Sequence, residues 1–225
     1  MNEVSELLKL LHDANRRIPS LTAEYSDHFE VPATRKLEVT PRPDGRFEFN
    51  GYGGGLFPRS TRVQRSLWYE RPSRLRVEVR QAGRLVIAGV RTDLGWSEWD
   101  RTRGVRRSTS SPSDRDSDVP VLLSPTLLAP ERLLAWVVVD SVRPSSRMGR
   151  DVLVATAMER RWSPVPPVAR SFVFEFDAET GMLLRRETFD GERRLALTEA
   201  IAVAFNPPLE GATFRLDLID ANRGE

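Results

Sequence analysis

Apolar residues fall at Val4, Leu7, Leu8, Leu11 and Ile18, with Glu3, Glu6, Lys9 and Asp13 elsewhere around the cylinder. This 3.6-residue period predicts an amphipathic helix over 2–18, ended by Pro19. From there the period drops to two: Leu21, Ala23, Tyr25, Phe29 and Val31 alternate with Thr22, Glu24, Ser26, His28 and Glu30. Successive side chains of a strand face opposite ways, so the segment predicts a long half-buried strand. The same alternation returns at Leu75, Val77 and Val79 and at Phe172, Phe174 and Phe176. It is longest near the end, where Leu195, Leu197, Ile201, Val203 and Phe205 point one way and Ala196, Thr198, Ala200, Ala202 and Ala204 the other. Further strands are expected around 35–40, 46–50, 62–70, 84–91, 94–100 and 151–160, joined by turn signals such as Pro43-Asp44-Gly45 and Ala82-Gly83. About ten antiparallel strands in succession predict a mainly β meander, and long strands apolar on one face must curl around something.

Two segments break this pattern. Residues 108–118 are polar and rich in Ser and Pro, which predicts a surface loop. The stretch that follows is the most apolar in the chain: short helices interrupted by Pro125 and Pro130, then a strand. Such a segment needs a surface to lie on, and the apolar face of the curved sheet supplies one. Residues 119–136 are therefore expected to form a lid that packs Leu122, Leu123, Leu127, Leu128, Leu133 and Leu134 over the open side. No internal repeat or linker divides the chain, so one domain is expected over 1–225.

Composition narrows the function classes. In 225 residues, 34 Lys+Arg stand against 32 Asp+Glu, so the sequence pI of 9.4 reflects how hard arginine is to deprotonate rather than a large positive field. A dedicated nucleic-acid binder is disfavoured. With Cys 0, disulfide frameworks, cysteine-based zinc sites and thiol nucleophiles are excluded. No stretch approaches the roughly 20 apolar residues of a membrane span. Glu3 and Glu6 stand where a signal peptide needs basic residues. The expectation is a cytoplasmic protein as written, or a periplasmic or other extracytoplasmic one if the chain is a trimmed mature form.

Catalytic signals are weak. His12 and His28 have no partner at metal-binding spacing. Asp114, Asp116 and Asp118 resemble the start of a calcium loop, but Val119 and Pro125 occupy its glycine and glutamate positions. The glycine-rich run from Gly51 leads into Pro58 with no lysine nearby, unlike a phosphate loop. There is no serine-hydrolase elbow, and nothing in the sequence desolvates one member of the Glu98/Asp100 pair and not the other. No enzyme activity, cofactor or metal is expected. The tryptophans at 68, 96, 99, 136 and 162 fit either core packing or the wall of a cavity for an apolar ligand. Glu199 interrupts the last apolar row, either as a polar anchor inside a pocket or as an edge residue near solvent.

The segment Ser66-Leu-Trp-Tyr-Glu-Arg-Pro-Ser-Arg-Leu-Arg-Val-Glu, then Leu85-Val-Ile and Asp93-Leu-Gly-Trp-Ser-Glu-Trp-Asp, resembles the Leu-Trp-x-x-Arg-Pro and Asp-Gly-x-x-Leu-Trp blocks of the LolA/LolB-like bacterial lipoprotein-carrier superfamily, which includes sensor domains of envelope-stress regulators. The first helix running into Leu21-Thr-Ala-Glu-Tyr, and the terminal Pro208-Leu-Glu-Gly-Ala-Thr-Phe-Arg-Leu, fit the same scheme. The resemblance implies an unclosed antiparallel β-barrel of about eleven strands, a half-barrel covered by the N-terminal helix and a helical lid. It further implies a non-enzymatic module whose concave cavity holds a lipid or lipoprotein acyl chain, or else a regulatory sensor domain whose cavity is self-filled. The expected cavity lining is Trp68, Leu75, Val77, Trp96, Trp99, Leu127, Leu128, Trp136, Phe172, Phe174, Ile201 and Val203. By the same resemblance Arg71, the arginine of the first block, is the lid latch. The implied partner is an acyl-chain lipid or lipoprotein, with no nucleic acid, and the protein is expected to be a monomer.

Overall fold

The computed structural model describes residues 3–30, 38–41, 47–50, 61–101, 104–108, 137–160 and 170–216. Helix α1 (Glu3–Arg17) has Glu3 and Glu6 in its first turn and Arg16 and Arg17 in its last, each opposing the local end of the helix dipole. Its buried stripe is Leu7, Leu10, Leu11, Ala14 and, just beyond the last turn, Ile18. Leu8, expected on that stripe, is 43% exposed. At 100° per residue it sits beside the Leu7–Leu11–Ala14 line rather than on it.

The strands run, in chain order, β1 (Ser20–Phe29), β2 (Glu38–Pro41), β3 (Phe47–Asn50), β4 (Thr61–Glu70), β5 (Arg74–Gln81), β6 (Arg84–Thr92), β7 (Gly95–Asp100), β8 (Gly104–Ser108), β9 (Val137–Arg147), β10 (Arg150–Glu159), β11 (Ser171–Asp177), β12 (Leu183–Asp190) and β13 (Arg193–Phe205). Among the described residues, strands β2 and β3 pair only with each other. The rest form one 11-stranded antiparallel sheet in the order β8-β7-β6-β5-β4-β1-β13-β12-β11-β10-β9. It does not close, and with α1 against its apolar face it is the half-barrel the pattern pointed to. Strands β8 and β12 were not legible as strands, and β9 is far longer than the end of the apolar run suggested. The chain leaves the sheet at one edge, β8, and re-enters at the other, β9.

Register assigns the two faces. On the inner face, which carries α1, Leu21, Ala23, Tyr25 and Asp27 of β1 align with Tyr69, Leu67, Arg65 and Val63 of β4, and these with Leu75, Val77 and Val79 of β5. Leu7, Leu11 and Ile18 join this core, together with Phe174, Phe176, Leu183 and Leu184. Gly181 in the β11–β12 turn shows how closely the helix approaches. It has φ +75°, and a Cβ there would meet Ala14 Cβ at 2.9 Å.

The outer face carries a second, smaller core. Trp68, Leu85, Ala88, Val90 and Trp99 pack with Leu209, Phe214 and Leu216 of the chain that follows β13. Arg76 fastens that strap: its guanidinium stands 5.4 Å over the Trp68 ring and donates to the carbonyls of Thr213 at 2.9 Å and Arg215 at 3.3 Å. No helix among the described residues is long and apolar enough to cross a membrane.

Candidate functional site at the inner face

The inner face is not uniformly apolar. Across β13, β1 and β4 it holds a buried polar cluster. Arg65 donates to Asp27 through both Nε, at 3.1 Å to Oδ2, and Nη2, at 2.7 Å to Oδ1. Thr198 Oγ1 donates to the same Oδ1 at 2.7 Å. All three residues are buried. Thr198 is the register partner of Asp27, whereas Arg65 is the partner of Tyr25 and reaches its carboxylate diagonally.

Tyr25 lies under this pair. The Arg65 guanidinium is 5.4 Å from its ring centroid, and its hydroxyl donates to the Leu183 carbonyl at 2.9 Å. Burial pushes the Tyr25 phenol well above its ordinary range; the nearby Arg65 charge works against this and Asp27 adds to it. Tyr25 is therefore a neutral donor with a settled acceptor, not a proton-transfer group at ordinary pH.

Next to Thr198 in register stands Arg186 of β12, half-buried, and next to Arg186 stands Phe174 of β11. Phe172, Phe174 and Phe176 form a ladder on that strand, with neighbouring centroids 5.8 Å apart in each pair. The inner face thus has an apolar half toward α1, a band of Arg186, Thr198, Asp27 and Arg65 across β12, β13, β1 and β4, and more apolar surface at Val63, Val79 and Ile87.

The expected cavity residues divide. Leu75, Val77, Phe172, Phe174 and Val203 lie on the inner face, as does Trp96, the partner of Arg91. Trp68 and Trp99 lie on the outer face in the core under the strap, because they occupy the opposite strand parity from Leu67 and Glu98. Ile201 is 47% exposed: Glu24 pairs Ala202 and Tyr25 pairs Ala200, so Ile201 is the extra residue of a β-bulge. The bulge also reverses the parity read along β13, placing Thr198 and Ala200 inside. Leu127, Leu128, Trp136 and the whole 119–136 lid segment lie outside the described residues. Glu199 is on the outer face, 2.8 Å from Arg147.

Arg71 follows the end of β4 and is exposed. Its Nη1 donates to the Arg16 carbonyl at 3.0 Å and its backbone N–H to the Pro19 carbonyl at 2.8 Å, so its contacts here are with the end of α1. Sequence reasoning missed Asp27, Arg65, Thr198 and Arg186. The signal was present for two: Asp27 and Arg65 share parity with Leu21, Ala23 and Tyr25 and with Val63, Leu67 and Tyr69. A charged residue within an apolar row marks an interior polar site. Elsewhere, a shallow outer hollow of about 330 Å³ is lined by Thr22, Glu24, Ser66, Trp68, Ala202 and Ala204 among others.

No family profile matches the chain, and no curated protein matches it in sequence. Solved structures do. A chain of the Pseudomonas aeruginosa MucA/MucB complex superposes with a TM-score of 0.55 at 15% identity, over 95% of this chain and 60% of that one. MucB solved alone gives 0.55 at 16% identity, over 95% and 62%. The present chain therefore spans about 60% of the length of the MucB chains it matches. The Mycobacterium tuberculosis lipoprotein LppX gives 0.50 at 11% identity, over 93% of this chain and 99% of that one. An uncharacterized conserved protein of Thermus thermophilus gives 0.52 at 9%, over 95% and 93%. At these identities the likeness is one of fold. The unclosed antiparallel half-barrel is thus a fold this chain shares with those structures.

Proposed function

We propose that the chain is a non-catalytic binding module that takes an acyl-chain ligand, a lipid or a lipoprotein's lipid, on the inner face of its half-barrel. The observation that carries this is the breadth of the apolar surface there. Leu75, Val77, Val79 and Ile87 on one side of β1, and Phe172 and Phe174 on the other, face inward on an open sheet. Burying a sixteen-carbon chain is worth on the order of 10 kcal/mol, at ~0.8 kcal/mol per methylene before ordering costs, so affinity needs no reactive group. Arg71 as the lid latch is part of this reading; its described contacts tie the end of β4 to the carbonyls at the end of α1, and the 119–136 segment that it would hold lies outside the described residues.

A second reading has its own support. Leu21, Tyr25, Leu67, Val77 and Phe174 are already buried in this structure, as in a cavity filled by its own chain. MucB, similar in fold, is known in a complex with MucA. On that reading the module is a sensor that binds a protein partner. Organic extraction of the purified protein followed by lipid analysis, with native mass spectrometry alongside, separates the two. Copurifying acyl lipid is the expected result. A clean apo mass together with no uptake of a fluorescent fatty acid would overturn lipid binding and leave the protein-binding sensor.

A further inference from the structure

The outer face of β13, β1 and β4 carries the hollow of about 330 Å³. It exists because the register sets small residues side by side there. Ala204, Thr22 and Trp68 form one row across the three strands, and Ala202, Glu24 and Ser66 the next. The two alanines, the threonine and the serine leave the floor low, and Trp68 supplies an aromatic wall. That wall is held in place, since Trp68 packs with the strap core and carries the Arg76 guanidinium 5.4 Å over its ring. Glu24 differs from the other outward carboxylates of the sheet. Glu70 pairs with Arg74, Glu78 with Arg76 and Arg80, Glu175 and Glu187 with Arg185, and Glu199 with Arg147. Glu24 is exposed and, among the described residues, has no ion pair; the Thr22 and Ser66 hydroxyls make no side-chain hydrogen bond either. The hollow therefore joins an unanswered carboxylate and two free hydroxyls to an apolar floor, with no cation in its lining.

We propose that this hollow is a docking site for a protein partner and takes a lysine or arginine side chain of that partner. The aliphatic stem lies over Ala202 and Ala204 against Trp68, and the charged head reaches Glu24, with the Thr22 and Ser66 hydroxyls accepting further N–H bonds. The sign of the charge follows from the surroundings. On β5, Arg76 donates to Oε1 of Glu78 at 3.0 Å and Arg80 to Oε2 at 2.9 Å, so both cations are already answered, and Arg76 is further engaged by the strap carbonyls. An anionic head would meet Glu24 with nothing in the lining to offset it, whereas a cation gains the one free carboxylate. A protein rather than a free amine is the occupant because the hollow is shallow. An exposed ion pair is weak by itself, so affinity must draw on contacts beyond the hollow, and Ile201, 47% exposed next to Ala202, offers an apolar one. The site lies on the face opposite the proposed acyl-chain surface and does not depend on what binds there.

The test adds acetylated and amidated Ala-Leu-Lys-Leu-Ala to the full chain and follows the methyl signals of Ala202 and Ala204 and the Trp68 indole N–H by NMR. The lysine peptide should shift these signals saturably, with a Kd in roughly the millimolar range. The same peptide with norleucine or glutamate at its centre should bind at least about threefold more weakly, the scale of one exposed ion pair. Glu24→Gln should weaken the lysine peptide by a similar factor without moving the denaturant midpoint, because Glu24 has no partner in the folded chain to lose. Ala202→Leu, at an exposed position, should fill the hollow and abolish the shifts. Raising the salt to roughly 1 M should weaken the lysine peptide and leave the norleucine peptide unchanged. No shift at Ala202, Ala204 or Trp68 would overturn the proposal. So would equal binding of the lysine and norleucine peptides, or undiminished binding by Glu24→Gln. If n-butylamine bound as tightly as the lysine peptide, contacts beyond the hollow would contribute nothing, and the protein partner would give way to a small free amine.

Discussion

Two sets of ion pairs lie on opposite faces of the same sheet, and they obey different physics. Inside, Asp27 and Arg65 form one pair with side chains 4% and 7% exposed, closed by Thr198. On the other face, Glu175, Arg185, Glu187 and Glu199 alternate across β11, β12 and β13, joined by Arg147 and Arg194 at separations from 2.8 to 3.4 Å. Those outer side chains retain up to 42% exposure. Water still solvates the outer ladder, so each of its charges has an alternative to its partner. Asp27 and Arg65 have given up that alternative and depend on each other. The same residue types thus form a replaceable surface lattice on one face and an obligatory pair on the other.

The largest expected effect tests this contrast directly. Asp27→Ala leaves the Arg65 guanidinium buried without its carboxylate and should cost about 3–5 kcal/mol. The loss, read from the denaturant midpoint at constant m-value, should exceed any single substitution in the outer ladder several-fold. An Asp27→Ala protein as stable as wild type would mean that Arg65 finds water or another partner, and the inner face would have to be more open than its burial indicates.

That inner pair also measures how far the sequence could be read. Element type was legible wherever one face is apolar and the strand regular: β1, β4, β5 and β11 follow period two, and α1 follows period 3.6. Strand parity survived until a bulge intervened. Leu197 and Ile201 read as inward because alternation was counted straight through β13, but the extra residue at Ile201 turns Thr198 and Ala200 inward instead. A bulge has no sequence signature among Thr, Glu, Ala and Ile, whose β-propensities do not announce it. Trp68 and Trp99 were misplaced for a different reason. Large aromatic residues were assigned to the single cavity in view, while a second core under the C-terminal strap claims them. Strand β12 was hidden because its central residues, Arg185, Arg186 and Glu187, carry charge on both faces and leave no apolar period to count.

Asp177 stands between the two extremes, and its pH dependence sharpens the comparison. Burial of this carboxylate acts to raise its pKa. The hydrogen bonds from Arg150 and from the Thr180 hydroxyl and backbone, with the Arg150 charge, outweigh burial and hold it below the usual aspartate range. With the folded value below the unfolded one, the unfolded chain binds more protons in the interval between them. The stabilisation is therefore complete above the unfolded pKa of about 3.9 and is lost as pH falls through the folded value. Asp177→Asn should be less stable than wild type at pH 7, by about 1.5–3 kcal/mol for hydrogen bonds to a charged group, and the gap should close progressively below pH ~4. A gap of constant size from pH 7 to pH 2 would place the effect in packing of the β11–β12 turn rather than in charge.

The smallest effect is expected on the outer ladder, and its smallness is the informative part. Arg185 spans Glu175 at 3.2 Å and Glu187 at 2.9 Å, so it links β11 to β12. Burial works to lower its pKa, and the carboxylates of Glu187 and Glu175 more than reverse this. Arg185→Gln removes the charge but keeps the aliphatic stem and an amide able to donate. Its side chain is 26% exposed, and once the charge is gone Glu175 keeps Arg147 and Glu187 keeps Arg194, so neither glutamate is left alone. The loss should be about 0.5–1 kcal/mol in low salt. It should fall further in roughly 1 M salt, where the screening length drops to about 3 Å. Asp27→Ala measured under the same two conditions should change little with salt, since ions do not reach the inner pair. If the two substitutions responded to salt alike, both faces would be equally wetted, and the distinction between a solvated lattice and a desolvated pair would not hold for this half-barrel.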